Sequence, residues 1–142
     1  MKKLSIIISM FMMTSVVLTS CGKYEEGPGF SVLPKKSRVV NIWKVDKIVS
    51  KVGSSTTETA GDGSSYTEFK KDDTFEYTLT SQAGSLTSKG KWNFDSKKEN
   101  IEMTFDGSGI KTTNKILMLK SNEMWLSSTS GAITNETHYV TK

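Results

Sequence analysis

The sequence of 142 residues contains very little cysteine, histidine and proline. Its single cysteine excludes an internal disulfide and a cysteine-based zinc site, and its single histidine excludes most histidine metal sites. The chain has no glycine-rich phosphate-binding loop, and His138 has no obvious Ser or Cys partner, so we expect it to be a surface residue rather than a base. We therefore predict that the protein is not an enzyme and holds neither a metal nor a cofactor.

The positive charge is small once the amino terminus is set aside. The chain has 19 basic and 15 acidic residues, a net charge of +4. Two of the lysines lie in the first 20 residues, which contain no acid, so the remainder has a net charge of only +2. A balance this close to neutral gives no support to a nucleic-acid partner, and we predict none.

Residues 1–20 have the pattern of a secretory signal peptide. Lys2 and Lys3 precede an apolar run over residues 4–18, which is shorter than the roughly 20 residues that span a bilayer. The next residues, Leu18-Thr19-Ser20-Cys21, resemble the lipobox of bacterial lipoprotein precursors. That resemblance implies cleavage before Cys21 and acylation of its sulfur and amino group with chains such as palmitate. Several acyl chains on one residue would anchor the protein stably to the outer membrane.

Residues 21–36 are predicted to be the lipidated amino terminus and a tether. The stretch Gly22-Lys23-Tyr24-Glu25-Glu26 resembles the signal that exports Bacteroidota lipoproteins to the cell surface, but it is equally typical of a solvated tether facing the periplasm. Both prolines of the chain, Pro28 and Pro34, lie in this region. Because proline cannot donate to a sheet ladder, its confinement here leaves residues 37–142 free to form a β-domain.

Apolar residues in that domain alternate with a period of two, which predicts short strands. After one helical turn capped by Ser37, we expect a loop over residues 51–65 and eight strands, over residues 42–50, 66–71, 74–81, 86–95, 101–106, 113–120, 123–128 and 134–141. No helical stretch is long enough to connect parallel strands. The pattern therefore predicts an all-β fold, and hairpins in sequence order favour an eight-stranded antiparallel up-and-down barrel over a sandwich.

Three stretches of the domain resemble the lipocalin-like lipoproteins of Bacteroidota, which are members of the calycin group. They are Asn41-Ile42-Trp43-Lys44-Val45, the hairpin at residues 67–75, and Gly90-Lys91-Trp92-Asn93-Phe94, with Asn41 and Asp73 at positions where the family has glycine. The resemblance implies a lipocalin-like barrel in which Trp43 closes the narrow end, with Trp92 beside it. The indole N–H of Trp43 would then need a partner, for which we expect a backbone carbonyl.

Alternate side chains of the strands should line the barrel interior. The residues that we predict to line it and to contact a ligand are Phe69, Phe75, Tyr77, Phe94, Met103, Phe105, Leu117 and Tyr139. So many aromatic groups in a small domain favour a filled lower barrel with at most a shallow cup at one mouth.

Two functions remain open at this point. The barrel of a lipid-anchored envelope protein could bind a small apolar or amphipathic ligand, as the family resemblance implies. Alternatively, a filled barrel could serve as a protein-interaction or accessory module of a surface complex. The second hypothesis draws on the strand at residues 115–120, which is apolar on both faces: its outer face is either covered by a flanking segment or exposed to an envelope protein partner.

Overall fold

The computed structural model describes Tyr24 and residues 32–142. The predicted signal peptide, the predicted lipidation site Cys21 and most of the predicted tether lie outside the described residues. The described chain forms α1 (Lys35–Val39), β1 (Ile42–Val52), β2 (Ser55–Ala60), β3 (Ser65–Phe69), β4 (Thr74–Ser81), β5 (Gly84–Phe94), β6 (Asn100–Phe105), β7 (Lys111–Leu119), β8 (Glu123–Ser130) and β9 (Ile133–Thr141). Within this part of the chain, no helix has the length and apolar character needed to cross a membrane.

The strands form one antiparallel sheet that closes on itself. From β3 to β9 each strand pairs with the next in sequence. The last strand then pairs with the first, from Trp43 opposite Thr141 to Val52 opposite Ile133. This closure confirms the predicted eight-stranded antiparallel barrel, with one strand more than expected.

The additional strand is β2, which occupies part of the predicted loop over residues 51–65. Strands β2 and β3 lie end to end along the same edge of β1, so together they fill one strand position of the barrel. All six side chains of β2 are exposed. The loop prediction was wrong because a Thr-rich strand without a buried face shows no apolar alternation, although β-branched threonine is compatible with sheet.

A β-bulge at Asp46 adjusts β1 to this arrangement. Val45 lies opposite Tyr139 and Lys47 lies opposite His138, so Asp46 is the extra residue. Its carbonyl accepts a hydrogen bond of 2.6 Å from the backbone N–H of Gly61, in the break between β2 and β3. The bulge moves Lys47 to the outer face and brings the following residue, Ile48, to the inner face.

A second bulge lies at Leu117 in β7. Ile116 pairs with Leu126, and Leu119 pairs with Met124, so Ile116 and Leu119 belong to the core cluster while Leu117 does not. Leu117 has no partner in this register, so its place in the interior stays a prediction. Leu117 is nevertheless buried, as is Met118 beside it, so this strand forms no exposed apolar patch.

The short helix α1 covers one end of the barrel, which we call the closed end. The helix follows Pro34 directly and has no side-chain cap, so the predicted turn capped by Ser37 is wrong; proline suits a helix start because it has no N–H to satisfy there. Val39 is fully buried in the core, and its carbonyl accepts a 2.8 Å hydrogen bond from the indole N–H of Trp43. This is the backbone partner expected for Trp43.

The half of the barrel next to α1 is packed with large side chains. Those with less than 2% exposure include Trp43, Phe75, Trp92, Ile101 and Met124. The filled lower barrel was predicted. The closed end also carries the turns at residues 70–73, 95–99 and 120–122, and the opposite end, which we call the mouth, carries those at 53–54, 82–83, 106–110 and 131–132.

Candidate functional site at the mouth

Five large aliphatic residues near the mouth face the interior and yet remain exposed. They are Ile48, Val52, Leu79, Leu86 and Ile133, with exposures of 36%, 48%, 40%, 68% and 44%. We call them the mouth aliphatics. Apolar side chains that point into a barrel without being covered leave unsatisfied hydrophobic area for a ligand.

The strand registers place the mouth aliphatics on the inner face. Leu79 lies two residues beyond Tyr77, which packs against the core, and opposite Leu86. Ile48 lies opposite Thr137, which shares a face with the core-packed Tyr139. Successive residues of a strand alternate between faces, so these assignments follow from the pairing alone.

A layer of half-buried polar side chains lies between the core and the mouth aliphatics Val52, Leu86 and Ile133, whereas Ile48 lies on the core side of Ser50 in β1. The Ser50 hydroxyl donates a 2.8 Å hydrogen bond to the side-chain oxygen of Asn135 across the β1–β9 pair. The other residues of this layer share the inner register and partial burial: Ser88, Thr112, Asn114, Ser128 and Thr137. The layer offers uncharged donors and acceptors below an apolar rim.

Aromatic residues form the floor of the open half. Tyr77, Phe105 and Tyr139 are partly buried and pack against the core. Phe105 meets Phe75 edge-on with ring centroids 5.0 Å apart. Burial raises the pKa of the Tyr139 hydroxyl to about 12, while a hydrogen bond with the Thr137 side chain acts in the opposite direction. The phenol therefore stays neutral at physiological pH.

No charged side chain occupies the inner face of any of the nine strands. The ion pairs of the wall lie outside, as for Lys47 with Glu58 at 3.0 Å and Lys51 with Glu136 at 2.9 Å. Moving a charged group from water into an apolar interior is costly unless a partner compensates it. The interior is thus poorly suited to a charged group.

A hollow of about 520 Å³ adjoins the rim between β5 and the β6–β7 turn. It is lined by Ser88 and Phe105 of the inner face and by the exposed Ile110. The charged residues Lys89 and Asp106 also line it. The backbone N–H of Asp106 donates to the carbonyl of Lys89 at 2.9 Å, which holds the turn against β5. Charged residues therefore border the mouth on this side of the rim.

The predicted ligand contacts fall into three groups. Phe69 and Phe75 are buried in the closed half, where the packed core surrounds them. Leu117 is buried at the bulge of β7 but does not belong to the core cluster. The remaining predicted residues are partly buried and pack against the core: Tyr77, Phe94, Met103, Phe105 and Tyr139. Whether any of them contacts a ligand stays a prediction.

Sequence reasoning did not single out the mouth aliphatics as site residues. The alternation of Leu79 with Tyr77 and the position of Leu86 on its strand were visible signals. Ile48 was not, because the Asp46 bulge reverses the alternation of β1.

The predicted surface position of His138 is also wrong. Its side chain lies on the outer wall but is only 7% exposed, because the Trp125 ring stacks on it with centroids 3.9 Å apart. The His138 Nε2 atom lies 3.0 Å from a carboxylate oxygen of Glu136, which also pairs with Lys51. These contacts give His138 a structural role in the outer wall of the barrel.

Because the pKa of Tyr139 is raised in the fold, we expect the protein to lose stability in alkaline solution. Its pKa is 10 in the unfolded chain and about 12 in the fold, so the unfolded state is increasingly favoured as the pH rises from 10 to 12. Tyr139→Phe should remove this contribution, which is about 3 kcal/mol at full ionisation. Urea unfolding between pH 8 and pH 12 measures it. An identical alkaline decline in wild type and variant would contradict the assignment.

Comparison with known proteins does not assign this chain to a family. No protein-family profile matches the sequence, and no curated protein matches it. Among solved structures, the chain is similar to a DUF4847 family protein from Bacteroides vulgatus ATCC 8482, with a TM-score of 0.47 and 16% sequence identity. The match covers 72% of this chain and 92% of that chain.

Proposed function

We propose that the protein is a lipid-anchored cell-envelope protein whose barrel binds an uncharged, apolar or amphipathic small molecule at its mouth. The observation that carries the ligand proposal is the exposure of the mouth aliphatics on the inner face of a barrel whose other half is packed. Lipid anchoring at Cys21 rests on the lipobox and on the signal peptide that precedes it.

The layering of the open half defines the guest. Aliphatic side chains at the rim contact an apolar body, and the hydroxyls and amides below accept or donate to one uncharged polar group. Because no cation or anion faces inward from the strands, a carboxylate or ammonium group would lose hydration without gaining a partner. An alcohol is therefore expected to bind better than the acid or amine of equal chain length.

Binding of dodecanol tests this proposal directly. We expect one dodecanol molecule to bind per protein, with shifts of the methyl NMR signals of Ile48, Leu79 and Leu86, and weaker binding of dodecanoate and dodecylammonium. Leu79→Ser combined with Leu86→Ser should weaken dodecanol binding by about tenfold, since removal of roughly 1.4 kcal/mol of apolar contact changes a dissociation constant by that factor. Both residues are well exposed, so the fold should tolerate the change.

Leu33→Ser is the matched control, because Leu33 is an aliphatic residue of similar exposure (46%) at the closed end. It should leave dodecanol binding unchanged. No binding of dodecanol, or equal loss in the control and the mouth variant, would refute a site at the mouth.

A protein-interaction role is the second candidate, and the free edge of β2 favours it. Among the described strands, β2 pairs with β1 alone, so its other edge offers backbone groups to an extended segment of a partner. Native mass spectrometry of the protein from its own cells separates the two functions. A bound small molecule supports the first, whereas an empty barrel with a co-purified protein supports the second.

A further inference from the structure

Tyr24 is fastened to the closed end of the barrel. Its side chain is 7% exposed and belongs to the core cluster, although it lies far from the barrel strands in sequence. Its hydroxyl donates a 3.0 Å hydrogen bond to the carbonyl of Lys98, and the ammonium of Lys35 lies 4.5 Å from its ring centroid. Burial raises the pKa of this hydroxyl to about 12. The predicted tether is thus not free along its whole length.

This contact lies three residues after the predicted lipidation site Cys21. Three residues span at most about 10 Å even when fully extended. Strand β1, with its 11 residues, extends over about 35 Å from the closed end toward the mouth. Whatever the path of the two intervening residues, the closed end is held close to the acyl chains and the mouth far from them.

The closed end has the chemistry of a surface that contacts lipid. Val32 and Leu33, which precede α1, are 82% and 46% exposed. Helix α1 and the three turns at this end contain eight basic and four acidic residues, and the exposed lysines among them include Lys71, Lys97 and Lys98. Apolar side chains enter the headgroup boundary of a bilayer, and each nearby lysine contributes about 1 kcal/mol at an anionic surface.

The mouth has a different character. Its turns at residues 53–54, 82–83 and 131–132 contain no charged residue, and the fourth, at residues 106–110, contains one acid, Asp106. It also presents exposed aliphatic groups, but the attachment of Tyr24 points those groups away from the anchor.

We propose that the closed end seats on the anionic lipid surface of the membrane that holds the anchor, with Tyr24 as the orienting contact, so that the mouth opens away from that membrane. This inference rests on lipidation at Cys21 as part of the proposed function. It is independent of whether the mouth binds a ligand.

Energy transfer between the barrel and labelled lipids tests the orientation. The full lipidated protein is placed in vesicles containing phosphatidylglycerol and headgroup-labelled acceptor lipid. Because Cys21 is consumed by acylation, a donor dye can be attached to one introduced cysteine, at Ser96→Cys in the closed-end turn or at Ala132→Cys in the mouth turn. We expect at least twofold higher transfer efficiency from position 96 than from position 132.

Variants at position 24 isolate the orienting contact. Tyr24→Ala should bring the two efficiencies close together, while Tyr24→Phe, which keeps the ring, should preserve most of the difference. Val32→Ser combined with Leu33→Ser should lower transfer from position 96. Equal transfer from both positions in the wild-type protein, or higher transfer from the mouth, would overturn the orientation.

The anchor itself is tested separately. Cys21→Ala should release the protein from the vesicles. If this variant stays bound, the lipid-anchor proposal fails. If the wild type is anchored but shows no difference between the two dye positions, the orientation fails and the anchor stands.

Discussion

Replacing Trp43 with alanine is expected to lower the free energy of unfolding by about 3–5 kcal/mol, a large share of the 5–15 kcal/mol typical of a domain. Trp43 is fully buried in the closed half, so the substitution leaves a large cavity among Phe69, Trp92 and their neighbours. It also removes the donor to the Val39 carbonyl and with it a link between β1 and α1. Urea unfolding followed by far-ultraviolet circular dichroism measures the change without relying on tryptophan fluorescence.

Trp125→Ala is the matched control for this prediction. Trp125 is a half-buried residue of the outer wall that stacks on His138 and donates a 2.9 Å hydrogen bond to Glu123. Its removal creates no interior cavity and should cost clearly less than the loss of Trp43. Equal losses for the two variants would show that Trp43 has no special part in closing the barrel.

Replacing Gly90 with alanine is expected to cost about 3 kcal/mol, because the barrel wall leaves no room for a methyl group there. An added Cβ would lie 2.7 Å from Cε1 of Phe75 and would also collide with the carbonyl of Thr104. Neither group can easily move away from the added methyl group, because Phe75 is fully buried and Thr104 pairs with Lys91 in the β5–β6 ladder. The same urea titration measures the loss.

A second-site change identifies the cause of this loss. Phe75→Leu in the Gly90→Ala background should recover part of the stability, since it removes the ring that the new methyl group meets, and the two changes should therefore be non-additive. Ser88→Ala, two residues earlier on the same face of β5 in the open half, should change stability little. Strict additivity of the changes at positions 75 and 90 would contradict a steric origin.

The turn in the hairpin at residues 67–75 has the backbone conformation that its sequence pattern indicates. The family has glycine where this chain has Asp73, and the structure holds Asp73 at a positive φ of 66°. The Asp72 side chain accepts hydrogen bonds from the backbone and hydroxyl of Thr74, which stabilises the turn. These hydrogen bonds also lower the pKa of the Asp72 carboxyl. The turn was predictable because its determinants lie within a few residues.

The site was less accessible from sequence than the fold. The aromatic residues chosen as ligand contacts do face inward at Phe75 and Tyr77, but Phe75 is used up in core packing. Leu79 and Leu86 are ordinary members of alternating strands, and only the height of the packed core determines that they remain uncovered. Burial depends on what lies across the barrel, which comes from strands distant in sequence.

The sequence alone determined the alternation of side chains, most turn positions and hence a series of antiparallel hairpins, because these depend on neighbours within a hairpin. It favoured a barrel, but the closing pair of β1 with β9 joins the two ends of the domain. The tertiary structure alone decided three further features: the bulges at Asp46 and Leu117, the division into a packed and an open half, and the attachment of Tyr24 at the closed end. Each arises from contacts between segments far apart in the chain. The local sequence is compatible with several arrangements of similar energy, and the long-range packing selects one of them.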